Sequence, residues 1–174
     1  MRTLPDYLRE GLKLVIVGTN PGKVSAEKGH YYANPRNDFW KLLYDGGLVP
    51  KKLGCEDDKR LMDEYGIGLT DLAKRATPSE ADLNGDEVTD GRIRLAADLE
   101  KYRPQVIAFN GKKAYKMFSR KRACELGLQA GKTSGAHVFV LPSTSRLNTG
   151  VPYEERKQYF KVLTEFLKRL SSEC

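Results

Sequence analysis

Four short apolar runs punctuate the chain: Leu14-Val15-Ile16-Val17 ending at Gly18, Ile67-Gly68-Leu69 leading into Asp71, Val106-Ile107-Ala108-Phe109 ending at Asn110-Gly111, and Val138-Phe139-Val140-Leu141 ending at Pro142-Ser143. Continuous runs of about four apolar residues bounded by turn formers predict strands buried on both faces, as in parallel sheets. Between them, helical spacing covers 37–46, 90–102, 111–122 and 153–170. The last carries Tyr159, Val162, Leu163, Phe166, Leu167 and Leu170 on one stripe, an amphipathic face. Segments 50–66 and 75–90 are acidic or punctuated by Pro and Gly, and read as irregular or short helical connections. Strand alternating with helix predicts an α/β protein, a three-layer α/β/α sandwich around a mainly parallel sheet of four to five strands.

The 174 residues suit one domain spanning 1–174. No apolar run reaches the ~18 residues of a membrane span, and no secretory or transit-type segment precedes Arg2 and Asp6, so a cytoplasmic protein is expected, nucleoid-associated in a prokaryotic cell. Cys55, Cys124 and Cys174 are far apart with no nearby histidine cluster, which argues against a disulfide framework, a zinc site or an iron–sulfur cluster. Charge changes the picture more. The net charge is +7, and residues 101–150 hold ten basic side chains against one acid, Glu125, while 51–100 hold eight against thirteen. A basic block of this kind suits a polyanion, or else a solvated helix face balanced in space by the acidic block.

Open parallel sheets bind ligands beyond the carboxyl ends of their strands. The residues there are Thr19-Asn20-Pro21-Gly22, Thr70-Asp71, Asn110-Gly111-Lys112 and Ser143-Thr144-Ser145-Arg146-Leu147. The first resembles a phosphate-binding P-loop but has three residues between its glycines where that motif has four, and Val24 stands where the metal-binding hydroxyl belongs. What remains is Asn20 between Pro21 and two glycines, either closing an Asx turn or offering its amide to a cleft. The stretch Gly29-His30-Tyr31-Tyr32-Ala33-Asn34-Pro35-Arg36-Asn37-Asp38-Phe39-Trp40 follows. Phe39 and Trp40 are expected in the core, but Tyr31 and Tyr32 are not both accounted for that way, and rings in a loop need cover or a ligand.

The run from Gly18-Thr19-Asn20-Pro21-Gly22 through Asn37-Asp38-Phe39-Trp40, followed by Leu141-Pro142-Ser143-Thr144-Ser145, resembles the mismatch-specific uracil/thymine DNA glycosylases of the uracil-DNA glycosylase superfamily. Those proteins carry G-I-N-P-G, a loop with G-F/H-x-F/Y and N-x-F-W, and a second motif P-N/S-P/S-S-x. A looser likeness through Gly68-Leu69-Thr70-Asp71-Leu72 and Gly111-Lys112-Lys113-Ala114-Tyr115 extends the match over about 10–168. The resemblance implies that Asn20 holds the attacking water, that Tyr32 stacks on a flipped base, and that backbone N–H groups near Thr19 and Tyr32 receive charge building on the departing base. It places Ser25 in the base pocket, where a plain loop cap is the alternative, and Thr77 as a pocket threonine. Arg146-Leu147-Asn148 match the wedge that enters the duplex; for Leu147 the alternative is a contact near Val151-Pro152. Arg146 departs from the bacterial glycine and looks like the vertebrate arginine.

Ser143 and Ser145 are expected to bond phosphates, and Lys112 and Lys113 to contact phosphate or groove. Asp71 departs from the family, whose bacterial members tend to carry Lys there and vertebrate ones Asn. It is expected to act as a second water activator or to stabilise the cationic sugar, or else to cap a helix starting near Leu72 or pair with Lys74 or Arg75. The expected activity is that of a monofunctional glycosylase initiating base excision repair, with no metal or cofactor. Its expected partner is double-stranded DNA containing uracil or a G·U or G·T mismatch, bound by a monomer. The rivals are a glycosylase for deaminated purines such as hypoxanthine, and a non-catalytic nucleotide-binding or damaged-DNA-binding α/β domain.

Overall fold

The four apolar runs form the centre of one five-stranded sheet in the computed structural model, which describes residues 3–147 and 150–173. In chain order the strands are β1 (Leu14–Gly18), β2 (Ile67–Asp71), β3 (Val106–Asn110), β4 (Gly127–Thr133) and β5 (Ala136–Leu141). Their order across the sheet is β2-β1-β3-β5-β4, parallel except for β4, which pairs antiparallel with β5. The helices are α1 (Lys23–Lys28), α2 (Phe39–Asp45), α3 (Asp58–Tyr65), α4 (Gly85–Tyr102), α5 (Lys112–Ser119) and α6 (Tyr153–Ser172).

Alternation along each strand divides the core in two. Leu14, Ile16, Ile67, Leu69, Val106, Ala108, Phe139 and Leu141 pack with residues of α2, α3 and α6. Val15, Val17, Ile107, Phe109, Val138 and Val140 pack on the opposite face with Leu95 and Leu99 of α4 and Ala114 and Tyr115 of α5. This is the expected α/β/α sandwich. The chain leaves β1 for β2 on one side and returns across it to β3 on the other, so the topological switch lies at the carboxyl end of β1, where such sheets bind ligands.

Three elements differ from the sequence reading. β4 was not foreseen because it is an exposed edge strand of small and polar residues, Gly-Leu-Gln-Ala-Gly-Lys-Thr, with no apolar run to announce it. α1 occupies Lys23–Lys28, where no element is expected, whereas α3 is the short helical connection expected within 50–66. α4 starts at Gly85 within the segment read as irregular: Asn84 accepts from Glu87 N at 2.8 Å and the Glu87 carboxylate accepts from Asn84 N at 2.9 Å, a reciprocal cap that extends the helix past its apolar stripe.

One contact of α4 bears on the site. At Gly91 a Cβ would lie 2.0 Å from the Leu72 carbonyl oxygen, so the helix rests directly on the chain leaving β2. Gly91→Ala should therefore destabilise the protein by at least about 2 kcal/mol through overpacking, lowering Tm by roughly 5 °C for a domain of this size; thermal melts followed by circular dichroism measure it.

Candidate active site

Beyond the strand ends the chain zips onward. Leu72 N donates to Gly18 O at 2.8 Å, Ala73 N to Thr19 O at 2.8 Å, and Thr77 N to Pro21 O at 3.2 Å. The segment after β1 is thus clipped to the segment after β2. Parts of both segments, with Tyr31, Tyr32, Asn34, Arg36 and Asn37 and residues 110–113 and 142–147, line a cleft of about 1120 Å³.

Asn20 sits in this cleft with its amide oriented by two bonds. Its Nδ2 donates to the Arg75 carbonyl at 2.9 Å and to Thr77 Oγ1 at 2.6 Å. Both N–H groups are thereby spent, and Oδ1 has no hydrogen-bond partner among the described residues. The amide presents an acceptor to the cleft, which excludes the simple Asx turn. Thr77, 3% exposed, also donates to Ser79 O at 2.6 Å. Its hydroxyl therefore fixes Asn20 as well as lining the pocket. The backbone N–H groups of Thr19 and Tyr32 likewise make no hydrogen bond among the described residues.

Asp71, the last residue of β2, is 3% exposed. The absence of a Cβ at Gly18 makes its position possible: one there would lie 2.5 Å from Asp71 Oδ1 and 2.9 Å from the Tyr32 hydroxyl. Burial pushes the Asp71 carboxyl up to about 7; the Lys74 and Arg94 charges pull it down and that of Asp6 pushes it up. Neither structural alternative for Asp71 survives. No helix begins at Leu72; Lys74 pairs with Asp6, and Arg75 pairs with Glu87.

Of the two loop tyrosines, Tyr31 is an ordinary core residue, 1% exposed, with its hydroxyl donating to Pro5 O at 2.7 Å; it needs no ligand. Tyr32 adopts a left-handed backbone, φ 52°, and its ring stacks on Phe39 at 3.9 Å between centroids. Its buried hydroxyl meets no partner in hydrogen-bond geometry among the described residues, and burial followed by the Asp71 charge holds the phenol well above its ordinary pKa, against a lowering contribution from the Asn110 side chain. An orphaned buried hydroxyl beside a buried carboxylate marks a binding site more than a folding core. Ser25 lies within α1, and its Oγ accepts from Ala33 N at 3.1 Å. It is a tie that fixes the loop beside Tyr32, not a loop cap.

The second motif is clasped from below by Asn110, a strand-end residue to which the sequence reading gave no role. Its Nδ2 donates to Thr144 Oγ1 at 3.0 Å and its Oδ1 accepts from Thr144 N at 3.1 Å. Ser143 and Ser145 turn the loop by accepting from the backbone N of Ser145 and Leu147, at 3.3 and 3.2 Å. Leu147 stands 85% exposed, an apolar side chain with no protein cover. Asn148 lies outside the described residues. Lys112 and Lys113 open α5 with no acidic residue in its first turn, an arrangement that opposes the helix dipole. Around the cleft Arg36, Lys112, Lys113, Lys116 and Arg146 outnumber Asp71 and Glu80. The rest of the basic block is elsewhere: Arg103 pairs with Glu100, and Lys121 lies over the Tyr115 ring. Among the described residues no group of three or more His, Cys, Asp and Glu is placed to hold a metal ion.

The chain belongs to the uracil DNA glycosylase superfamily, whose family model matches residues 5–168. Among solved structures it is similar to a protein of Methanosarcina acetivorans, solved by NMR in solution and described as a candidate uracil DNA glycosylase. The two share 26% identity with a TM-score of 0.68, over 96% of this chain and 98% of that one. Membership supports DNA N-glycosylase activity and DNA as the substrate.

Proposed function

We propose that this protein is a monofunctional, mismatch-type uracil DNA glycosylase. It flips uracil, and in the wider range thymine or a modified pyrimidine opposite guanine, and hydrolyses the N-glycosidic bond. The observation that carries the reading is the tethered amide of Asn20, whose two donors are used and whose acceptor faces the cleft. Cleavage of an N-glycosidic bond passes through an oxocarbenium-like state that needs a well-placed water more than a strong base. An oriented carbonyl oxygen supplies such placement. Asp71 is assigned as a second activator of that water. The free N–H groups of Thr19 and Tyr32 suit the charge leaving on the base. The bare side chain of Leu147 is suited to fill the vacated place in the duplex. No lysine in either motif is placed as a Schiff-base nucleophile, so no lyase step follows.

A labelled oligonucleotide carrying one uracil, incubated in EDTA and then treated with alkali, tests this. Breaks at the uracil that appear only after alkali are the expected outcome. Breaks without alkali would assign a lyase, and an intact strand with a retained gel shift would assign a silent binder. The carboxylate of Asp71, where mismatch enzymes tend to carry Lys or Asn, favours a broad lesion range. A parallel substrate with hypoxanthine is therefore expected to be cut more slowly than uracil, and the reverse order would make the enzyme a deaminated-purine glycosylase.

A further inference from the structure

An acid stands in the middle of the basic rim. Asp38, immediately before α2, is 4% exposed, and its side chain does not cap that helix. Its backbone N donates to Thr144 O at 2.9 Å, so it touches the wedge loop directly. One carboxylate oxygen accepts from Arg156 Nη2 of α6 at 2.9 Å, and the other accepts from Arg146 Nε at 2.8 Å. Arg156, 7% exposed at its side chain, reaches the same loop through Nη1, which donates to the carbonyls of Ser143 at 3.4 Å and Thr144 at 3.2 Å. Burial raises the Asp38 carboxyl, but the bonds from Arg156 and Arg146 outweigh it and hold its pKa below the usual range. The two guanidinium groups thus favour the ionised carboxylate.

Arg146 is held differently from Arg156. Its side chain is 55% exposed, it lines the cleft, and only its Nε is engaged. Its Nη1 and Nη2 groups have no hydrogen-bond partner among the described residues. A guanidinium pinned through Nε still offers two terminal donors, the geometry that grips a phosphate with both prongs.

We propose that Asp38 is a positioning residue for DNA: braced by Arg156, it fixes Arg146 through Nε so that the two terminal amino groups form a preset fork for a backbone phosphate beside Leu147. The proposal rests on the reading of the cleft as a DNA site. It makes Arg146 part of the protein's own framework before DNA arrives, and it gives the acid on the basic face a function that charge alone denies it. Simple electrostatics says that removing a carboxylate from a DNA face strengthens binding. The brace says that it weakens binding, because the fork loses its anchor and has to be ordered by the DNA.

The opposite signs make the test. Fluorescence anisotropy of a labelled, undamaged duplex is followed across a potassium chloride series for wild type, Arg146→Ala, Arg146→Lys, Asp38→Asn and the Asp38→Asn/Arg146→Ala double variant. Arg146→Ala is expected to weaken binding about tenfold and to reduce the salt slope by about 1. Arg146→Lys keeps the charge, but one ammonium cannot pair with Asp38 and fork a phosphate together, so it should fall within about threefold of Arg146→Ala. Asp38→Asn should weaken binding at least about threefold in the wild-type background and no further in the Arg146→Ala background. Tighter or unchanged binding by Asp38→Asn, equal losses in the two backgrounds, or wild-type affinity in Arg146→Lys would each overturn the brace. Should Asp38→Asn melt out, Arg146→Lys against Arg146→Ala decides alone, since both leave Asp38 and its bond from Arg156 in place. A wild-type chain that binds no duplex removes the DNA site and the brace together. Failure to excise uracil with the expected binding pattern intact removes only the proposed reaction.

Discussion

Asn20→Ala should slow single-turnover release of uracil from a G·U duplex by at least about 10³-fold, the scale of a lost general-base or water-positioning group, while duplex affinity changes by less than about threefold. The substitution loses the two Nδ2 bonds to Arg75 O and Thr77 Oγ1, but the backbone bonds from Leu72, Ala73 and Thr77 still clip the two segments together, so the fold should hold. The loss falls on the chemical step because the water would no longer be held in line with the anomeric carbon. The tether refines the expectation. Asn20→Asp keeps the shape, yet it sets a carboxylate against the Arg75 carbonyl, with which it can no longer bond, and against a Thr77 hydroxyl already donating to Ser79 O. It should therefore be nearly as inactive as Asn20→Ala. Thr77→Val, which removes one of the two bonds that turn the amide, should cost about tenfold in the same rate with no change in affinity. Rapid-quench single-turnover assays with gel-shift controls separate these effects. Full activity in Asn20→Ala would sink the mechanism.

The tether also shows what was legible in the sequence. Asn20 was visible as a polar residue at a strand end between Pro21 and two glycines, and the apolar runs located the sheet that carries it. The Arg75 carbonyl and Thr77 hydroxyl that fix it lie more than fifty residues away, and no local pattern signals a partner brought in by strand pairing. The same holds for Asp38: at sequence level it is an ordinary residue before a helix, and its two arginine partners arrive from positions 146 and 156. Tyr31 and Tyr32 are neighbours of one type with opposite fates. The difference is the left-handed backbone at Tyr32, which turns the second ring onto Phe39 and the cleft while the first enters the core. The start of α4, by contrast, was fully encoded as Asn84-x-x-Glu87, but lay outside the apolar stripe that defined the helix. β4 has no such signal, because an exposed edge strand need bury little.

Asp71→Asn should separate chemistry from stability, with opposite signs. Burial holds the Asp71 carboxyl near 7, and its nearest cations are already occupied: Lys74 with Asp6, Arg94 with Asp6 and Asp98. As a water activator it works ionised, so the wild-type single-turnover rate should rise about tenfold per pH unit below 7 and level off above it. Asp71→Asn should flatten that limb and leave the slower reaction that Asn20 supports alone. The stability effect runs the other way. A carboxyl with an ordinary pKa of 3.8 when unfolded and about 7 when folded stabilises the fold relative to its ionised form only while protonated. That contribution is intact below about 4 and lost as pH rises to 7, reaching about 4 kcal/mol at roughly 1.4 kcal/mol per unit. Above pH 7 the neutral amide escapes this loss, so Asp71→Asn should melt several degrees higher than wild type at pH 8, and the two should converge near pH 4. A residue kept for the fold would lose stability on this substitution and leave the rate profile unmoved. A residue kept for the reaction trades stability at working pH for a buried, ionised carboxylate beside the cleft, and the combination of a lower rate with a higher melting temperature in Asp71→Asn is the signature expected of that role.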